Sequence, residues 1–300
     1  MRVLSLLPAA TEIVATLGAV NSLVGISHAC DYPASVASLP RVTRSVVDAR
    51  AAAGAIDDVV RRLVGEGRSL YELDEAHIRE LQPDLILTQT LCDVCAVPES
   101  DVRALASQLQ PSPRVLALSA TTLEGVLDDI AAVADAIGTA DEAEELVAGL
   151  RARLQTVHAT LKKHRAPRPA VAMIEWSDPV FASGHWVPDM VRRAGGTDVL
   201  AVTGAHSKLV TREQIASAQA TVIIFAPCGY DLVRAEQEAR DMMLDPGWSC
   251  LEGAAFWALD ANALTSRPGP RLVDGVEVMA RIFNPQLFSS LTTSRAVRLR

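Results

Sequence analysis

Residues 75–92, EAHIRELQPDLILTQTLC, and residues 213–229, EQIASAQATVIIFAPCG, decide the fold. Laid over each other at a constant offset of 137, they match Ile78 with Ile215, Gln82 with Gln219, and Leu85-Ile86-Leu87 with Val222-Ile223-Ile224. Each reads as a helix that breaks and then runs into an uninterrupted apolar strand. A second pair, TEIVATLGAVNSLVG at 11–25 and PDMVRRAGGTDVLA at 188–201, shares a helix, a glycine stop and a following hydrophobic pair. Two matches in one chain imply two related lobes.

Outward from these segments the alternation of strand and helix continues. RVLSLL at 2–7 is a buried strand leading into Pro8, and the short helix after it stops at Gly18. LVGIS at 23–27, DLILT at 84–88 and RVLAL at 114–118 are further apolar strands, with helices over 55–64, 74–82 and 98–109. From 139 to about 164 the pattern changes to one long helix with Leu146, Leu150, Leu154, Val157 and Leu161 on one stripe. At 1.5 Å per residue it spans roughly 35–40 Å. RAPRP at 165–169 ends it, and the alternation resumes with AVAMIE, a helix over 187–194, TVIIFA and AFWALD. The expected fold class is α/β: two Rossmann-like lobes with parallel sheets joined by one long rigid helix, with a ligand cleft between the lobes. The boundaries read 1–138 for the first lobe, 139–165 for the linking helix, 166–285 for the second lobe and 286–300 for a flexible tail.

Composition narrows the function. With 49% hydrophobic residues in 300, the chain can bury two moderate cores. A net charge of -8 argues against nucleic-acid or anionic-membrane binding, which need a basic footprint. The start, MRVLSLLPAATEIVATLGA, has a basic residue before an apolar run, but Pro8 and Glu12 interrupt it, so it reads as the first strand and helix rather than a leader. The expected location is cytoplasmic, without membrane insertion. Motifs for an NTPase, a dinucleotide-dependent dehydrogenase, a serine hydrolase or a zinc peptidase are missing. No catalytic residue can be named.

In open parallel sheets ligands gather beyond the carboxyl ends of the strands, and the unusual residues of this chain fall in those loops. Cys30 lies in HACDYP, Cys92 and Cys95 form a C-x2-C pair in LCDVCAV, and Cys228 lies in APCGY. Four thiols on loops at one edge are the expected ligands of a metal, with His28 able to replace one of them. Soft sulfur donors select a 4Fe-4S cluster or zinc over magnesium or calcium. Packing as small buried hydrophobes is the alternative for each cysteine. Trp176, Phe181, His185, Trp186 and Tyr230 offer flat apolar surface suited to a large planar or macrocyclic ligand, or else pack the lobes. Arg267 and Arg271 flank the P-G-P turn and can hold a phosphate or carboxylate, or else cap the final helix. Glu12, Asp31, Asp93, Glu175, Asp178 and Asp231 are available acids without diagnostic spacing.

SLLPAATEIVATLG, LVGISHACDYP, LQPDLILTQ, the long central helix and RPGPRLVDGVE resemble the helix-linked solute-binding proteins, most closely the vitamin B12-binding branch. The resemblance covers residues 1 to about 285. It implies two lobes with limited hinge motion gripping a corrinoid, through Pro8 to Thr11, through Tyr32, Trp176 and Trp186, and through the C-terminal-lobe loops. It also implies an ABC permease partner if the protein is exported. The cysteines are an addition that such importer components do not need. The leading expectation is therefore a binding protein for a cobalamin-like or metal-containing cofactor with a cysteine-ligated metal. The alternatives are an iron–sulfur enzyme acting on a small molecule and an importer component lacking its signal sequence.

Overall fold

The computed structural model describes residues 1–91 and 96–300. Contacts divide the chain into two α/β units, Met1–Ala120 with Glu124–Ala148, and Thr121–Leu123 with Gly149–Arg300.

In the first unit β1 (Val3–Ser5), α1 (Pro8–Thr16), β2 (Leu23–Ile26), β3 (Thr43–Ser45), α2 (Ala53–Gly65), β4 (Tyr71–Leu73), α3 (Glu75–Leu81), β5 (Leu85–Gln89), α4 (Glu99–Gln108), β6 (Arg114–Leu118) and α5 (Leu123–Ile137) follow in order. Its main sheet runs β2-β1-β5-β6, all parallel, and β3 and β4 form a small antiparallel pair. Both faces of such a sheet are covered, so its strands must be apolar throughout. Val3, Leu4, Ile86 and Leu87 are fully buried accordingly, each contributing about 1.5–3 kcal/mol by leaving water. Pro8 opens α1, where its missing N–H costs nothing, and Gly18 at φ +74° ends it.

The boundary between the units falls within α6 (Ala140–Lys163), between Ala148 and Gly149. The second unit then contains β7 (Ala170–Ser177), β8 (Val180–Ala182), α7 (Val187–Arg193), β9 (Thr197–Asp198), β10 (Lys208–Leu209), α8 (Arg212–Ser217), β11 (Val222–Phe225), α9 (Leu232–Leu244), β12 (Ala255–Leu259), α10 (Ala261–Leu264), α11 (Leu272–Phe283) and β13 (Ala296–Arg298). Its sheet runs β10-β8-β7-β11-β12-β13, with β9 beside β7. The core strands β7, β11 and β12 are parallel, and their apolar runs pack Ile174, Ile223, Phe225 and Phe256 into the interior.

Two expectations need correction here. The second sheet is mixed rather than parallel. Asp178-Pro179 joins Ser177 to Val180 directly, and a connection that short can only turn β8 back antiparallel to β7. The segment 286–300 is not a flexible tail: β13 pairs antiparallel with β12, the Leu299 N–H donates to the Phe256 carbonyl at 2.8 Å, and Leu299 packs on the core. The Arg281 guanidinium also donates to the carbonyl of Phe288, and Arg295 pairs with Asp260 at 2.6 Å. Among the described residues no helix is long and apolar enough to cross a membrane.

Candidate functional site

In the first unit the loops beyond β1 and β2 are tied together from inside. Thr11, on the first turns of α1, is fully buried; its hydroxyl donates to Ser5 Oγ at 2.8 Å and lies 3.1 Å from Cys30 Sγ. Cys30 is likewise fully buried. One guanidinium nitrogen of Arg41 donates to the carbonyls of Ser27, His28 and Cys30 at 3.2, 2.9 and 2.9 Å, which fixes the backbone of HACDYP. His28 is half-buried, its Nδ1 2.7 Å from Thr43 Oγ1 and its ring 5.7 Å from that of Tyr71. Burial, and then the Arg41 charge, hold its pKa below the usual histidine value, so the imidazole is biased toward neutral. Pro8 keeps some exposed surface, and Tyr32 stands 42% exposed.

In the second unit a polar cluster forms where β7 and β11 end. Glu175, the sixth residue of β7, accepts a hydrogen bond from Ser207 Oγ at 2.7 Å, and its carbonyl accepts the Cys228 N–H at 3.2 Å. Its carboxyl also accepts the Gly184 N–H. Desolvation nevertheless dominates, with the nearby Cys228 and Asp198 adding to it, and pushes the carboxyl up to about 8. Glu175 is therefore a largely protonated acid at neutral pH. Asp198 stands behind it, accepting Ser183 Oγ at 2.9 Å and the Leu200 and Ala201 N–H groups at 2.9 and 3.0 Å, and burial raises its pKa as well.

Two chain segments are pressed together around this cluster. A Cβ on Gly184 would lie 2.2 Å from the Ser207 nitrogen, so only glycine lets the 206–207 backbone pass. Next to it His185 adopts φ +53°, a left-handed conformation held by its N–H donating to the Ala205 carbonyl at 2.6 Å and by Gly204 N–H donating to its own carbonyl at 2.8 Å. The result faces His185 Nε2 toward His206 Nδ1 at 3.2 Å. Burial lowers the His185 pKa, and His206 lowers it further.

The aromatic residues divide into surface and support. Trp176 is part-buried, packs edge-on against Tyr230 at 5.5 Å and donates its indole N–H to the Asp178 carbonyl at 3.1 Å. His185 keeps exposed surface. Trp186 is buried with its indole N–H on the Thr265 carbonyl at 2.7 Å, and Tyr230 is buried with Arg234 over its ring at 3.7 Å and bonded to its hydroxyl at 2.8 Å. Arg267 is buried too. Thr11, Trp186, Tyr230 and Arg267 are thus buried, while Pro8, Tyr32, Trp176 and His185 keep exposed surface. A buried indole or phenol satisfies its polar atom internally, and here both do.

Of the four thiols expected at a metal, two are described. Cys30 is buried against Thr11, Cys228 is exposed, and Cys92 and Cys95 lie outside the described residues. Among the described residues no group of three or more His, Cys, Asp and Glu side chains converges on a position where a metal would sit. Cys250 is part-buried and packs against the core. Gly184, His206, Ser207, Arg41 and Arg234 were not singled out from the sequence. The first three belong to loops without periodicity, and only the apposition of those loops gives them a role.

A sequence profile of the family described as periplasmic binding protein matches residues 3–255. The vitamin B12-binding protein of Vibrio cholerae serotype O1 is 25% identical over 281 residues, which cover 92% of this chain and 86% of that protein. Among solved structures, the periplasmic vitamin B12-binding protein of Vibrio cholerae superposes with a TM-score of 0.66 at 23% identity, covering 95% of this chain and 98% of that one. A periplasmic heme-binding protein from Pseudomonas aeruginosa superposes with a TM-score of 0.68 at 21% identity, covering 100% and 95%.

Proposed function

The chain belongs to the periplasmic binding protein family, and on that premise we propose that the small-molecule solute it binds is a corrinoid of the cobalamin class. One observation carries this choice: the similarity to vitamin B12-binding proteins runs through 92% of the chain rather than through a single motif. The residues that retain surface for a flat macrocycle are Pro8 and Tyr32 in the first unit and Trp176 and His185 in the second. Mostly apolar and aromatic surface with a few placed polar groups is what such a ligand requires. Thr11, Trp186, Tyr230 and Arg267 hold that surface in place from within. The proposal keeps a cytoplasmic location, tested by fractionating producing cells; transfer to an ABC permease applies if the protein is exported.

A cysteine-held iron–sulfur cluster or zinc ion is the weaker reading, since the Cys30 thiol is enclosed and contacts Thr11. Iron and sulfide analysis of anaerobically purified protein tests it directly.

The solute is tested by titrating the protein with hydroxocobalamin and separately with hemin, following calorimetric heat and the visible spectrum. The expected result is one cobalamin per chain with Kd at or below about 1 μM, equivalent to about -8 kcal/mol. The double variant Tyr32→Ala/Trp176→Ala should bind about tenfold more weakly, which is about 1.4 kcal/mol. Hemin binding without cobalamin binding would overturn the corrinoid assignment in favour of a porphyrin, and binding of neither would overturn the macrocycle reading.

A further inference from the structure

We infer that His185 and His206 form a bidentate site for an imidazole-preferring divalent ion of the zinc, copper or nickel class, separate from the cysteines. The two facing nitrogens, His185 Nε2 and His206 Nδ1, are 3.2 Å apart. A metal about 2.0–2.1 Å from each, the ordinary metal–imidazole distance, sees nitrogens at that separation when the angle at the metal is about 100°, between octahedral and tetrahedral values. The rings stand nearly perpendicular, at 88° with centroids 5.1 Å apart, so neither ring stacks over the other. Without metal a single proton occupies the space between the two nitrogens; an ion displaces it to solvent.

The pair is built by the backbone rather than by chance meeting of long side chains. His185 is held at φ +53°, where residues other than glycine are uncommon. The hydrogen bonds His185 N–H to Ala205 carbonyl and Gly204 N–H to His185 carbonyl lock the two segments in register. Gly184 admits the Ser207 backbone at a distance no other residue allows. This fixes both imidazoles before any ion arrives, which reduces the entropy lost on binding. His206 is exposed and His185 half-buried, so ions can reach the site. Because no third His, Cys, Asp or Glu joins the pair among the described residues, the remaining coordination positions are open to water or to a donor atom from outside. Openness of that kind distinguishes exchangeable and catalytic sites from closed structural ones.

The test is calorimetric titration of Zn(II) into the full-length, tag-free, metal-stripped protein, alongside His206→Ala, His185→Asn and Cys92→Ala/Cys95→Ala. Asparagine tolerates the left-handed backbone at 185 better than most residues, and His206 is exposed, so both histidine variants should fold. The expected result is one zinc equivalent weakened about tenfold or more in each histidine variant, the scale on which losing a metal-site partner acts, and unchanged in the cysteine double variant. Equal zinc affinity in wild type and both histidine variants would overturn the assignment. So would loss of that equivalent in the cysteine double variant.

Discussion

Replacing Glu175 with glutamine isolates the most perturbed carboxyl of the second unit. Glutamine has nearly the same shape, and its carbonyl oxygen can still accept from Ser207 Oγ and Gly184 N–H, so the change removes chiefly the ability to ionise. The carboxyl sits near 8 in the folded protein against an ordinary 4.5. The native state therefore binds this proton more tightly than the unfolded state does. That stabilisation is fully present below pH 4.5, declines as pH rises, and is gone above 8. At about 1.4 kcal/mol per pH unit the full window is worth about 5 kcal/mol. The side chain keeps partial solvent contact, and we expect about half of this, about 2–3 kcal/mol, to survive screening. Wild type and Glu175→Gln should then differ little at pH 5, and the variant should be the more stable by about 2–3 kcal/mol at pH 8.5. In urea this is a midpoint shift of about 1 M for slopes of about 2–3 kcal/mol/M. The readout is clean because all four tryptophans, Trp176, Trp186, Trp248 and Trp257, belong to the second unit, so intrinsic fluorescence reports its unfolding alone. A stability difference that stays constant between pH 5 and 8.5 would show that the carboxyl is not held protonated by its surroundings.

Gly184→Ala should displace the 204–207 segment, because the added methyl meets the Ser207 nitrogen at 2.2 Å. Urea unfolding followed by tryptophan fluorescence should record a loss of about 1–3 kcal/mol, the usual cost of overpacking. Thr11→Val leaves Ser5 Oγ without its buried donor and should cost about 1–2 kcal/mol; circular dichroism is the appropriate monitor, since the first unit has no tryptophan. Peptide mapping after brief alkylation of the native protein should find Cys228 labelled and Cys30 protected until denaturant is added. Labelling of Cys30 in the native state would contradict its enclosure by Thr11.

The apolar strands were the most legible part of this chain because a strand covered on both faces has no choice of composition. DLILT and TVIIFA could scarcely be anything else, and their common offset carried the duplication. The tail reads as flexible from sequence because Ala296-Val297-Arg298 is only three residues long, ends in a charge, and gives no periodic signal. The residues beyond the strand ends were legible as a set, but their orientation was not. Glu175 was noticed as an acid after a strand, yet its proton depends on Ser207 and Gly184, which are distant in sequence or featureless. Trp186 and Tyr230 carried the right chemistry for a ligand, but whether an aromatic ring faces outward or inward depends on partners such as Thr265 and Arg234. For the cysteines, placement after a strand does not say where the thiol points: Cys30 lies beside Thr11, nineteen residues back.

The large sheet of the second unit is bounded by β10 on one side and β13 on the other. These are two and three residues long, and they carry Lys208 and Arg298 at exposed positions. A neighbouring chain therefore finds no open ladder long enough to extend and meets a positive charge where it would try. The apolar β12 sequence, AFWAL, is shielded by β13 alone on that side. Colloidal behaviour in concentrated solution thus rests on those last few residues, and a chain shortened before Ala296 would present a five-residue adhesive edge and aggregate.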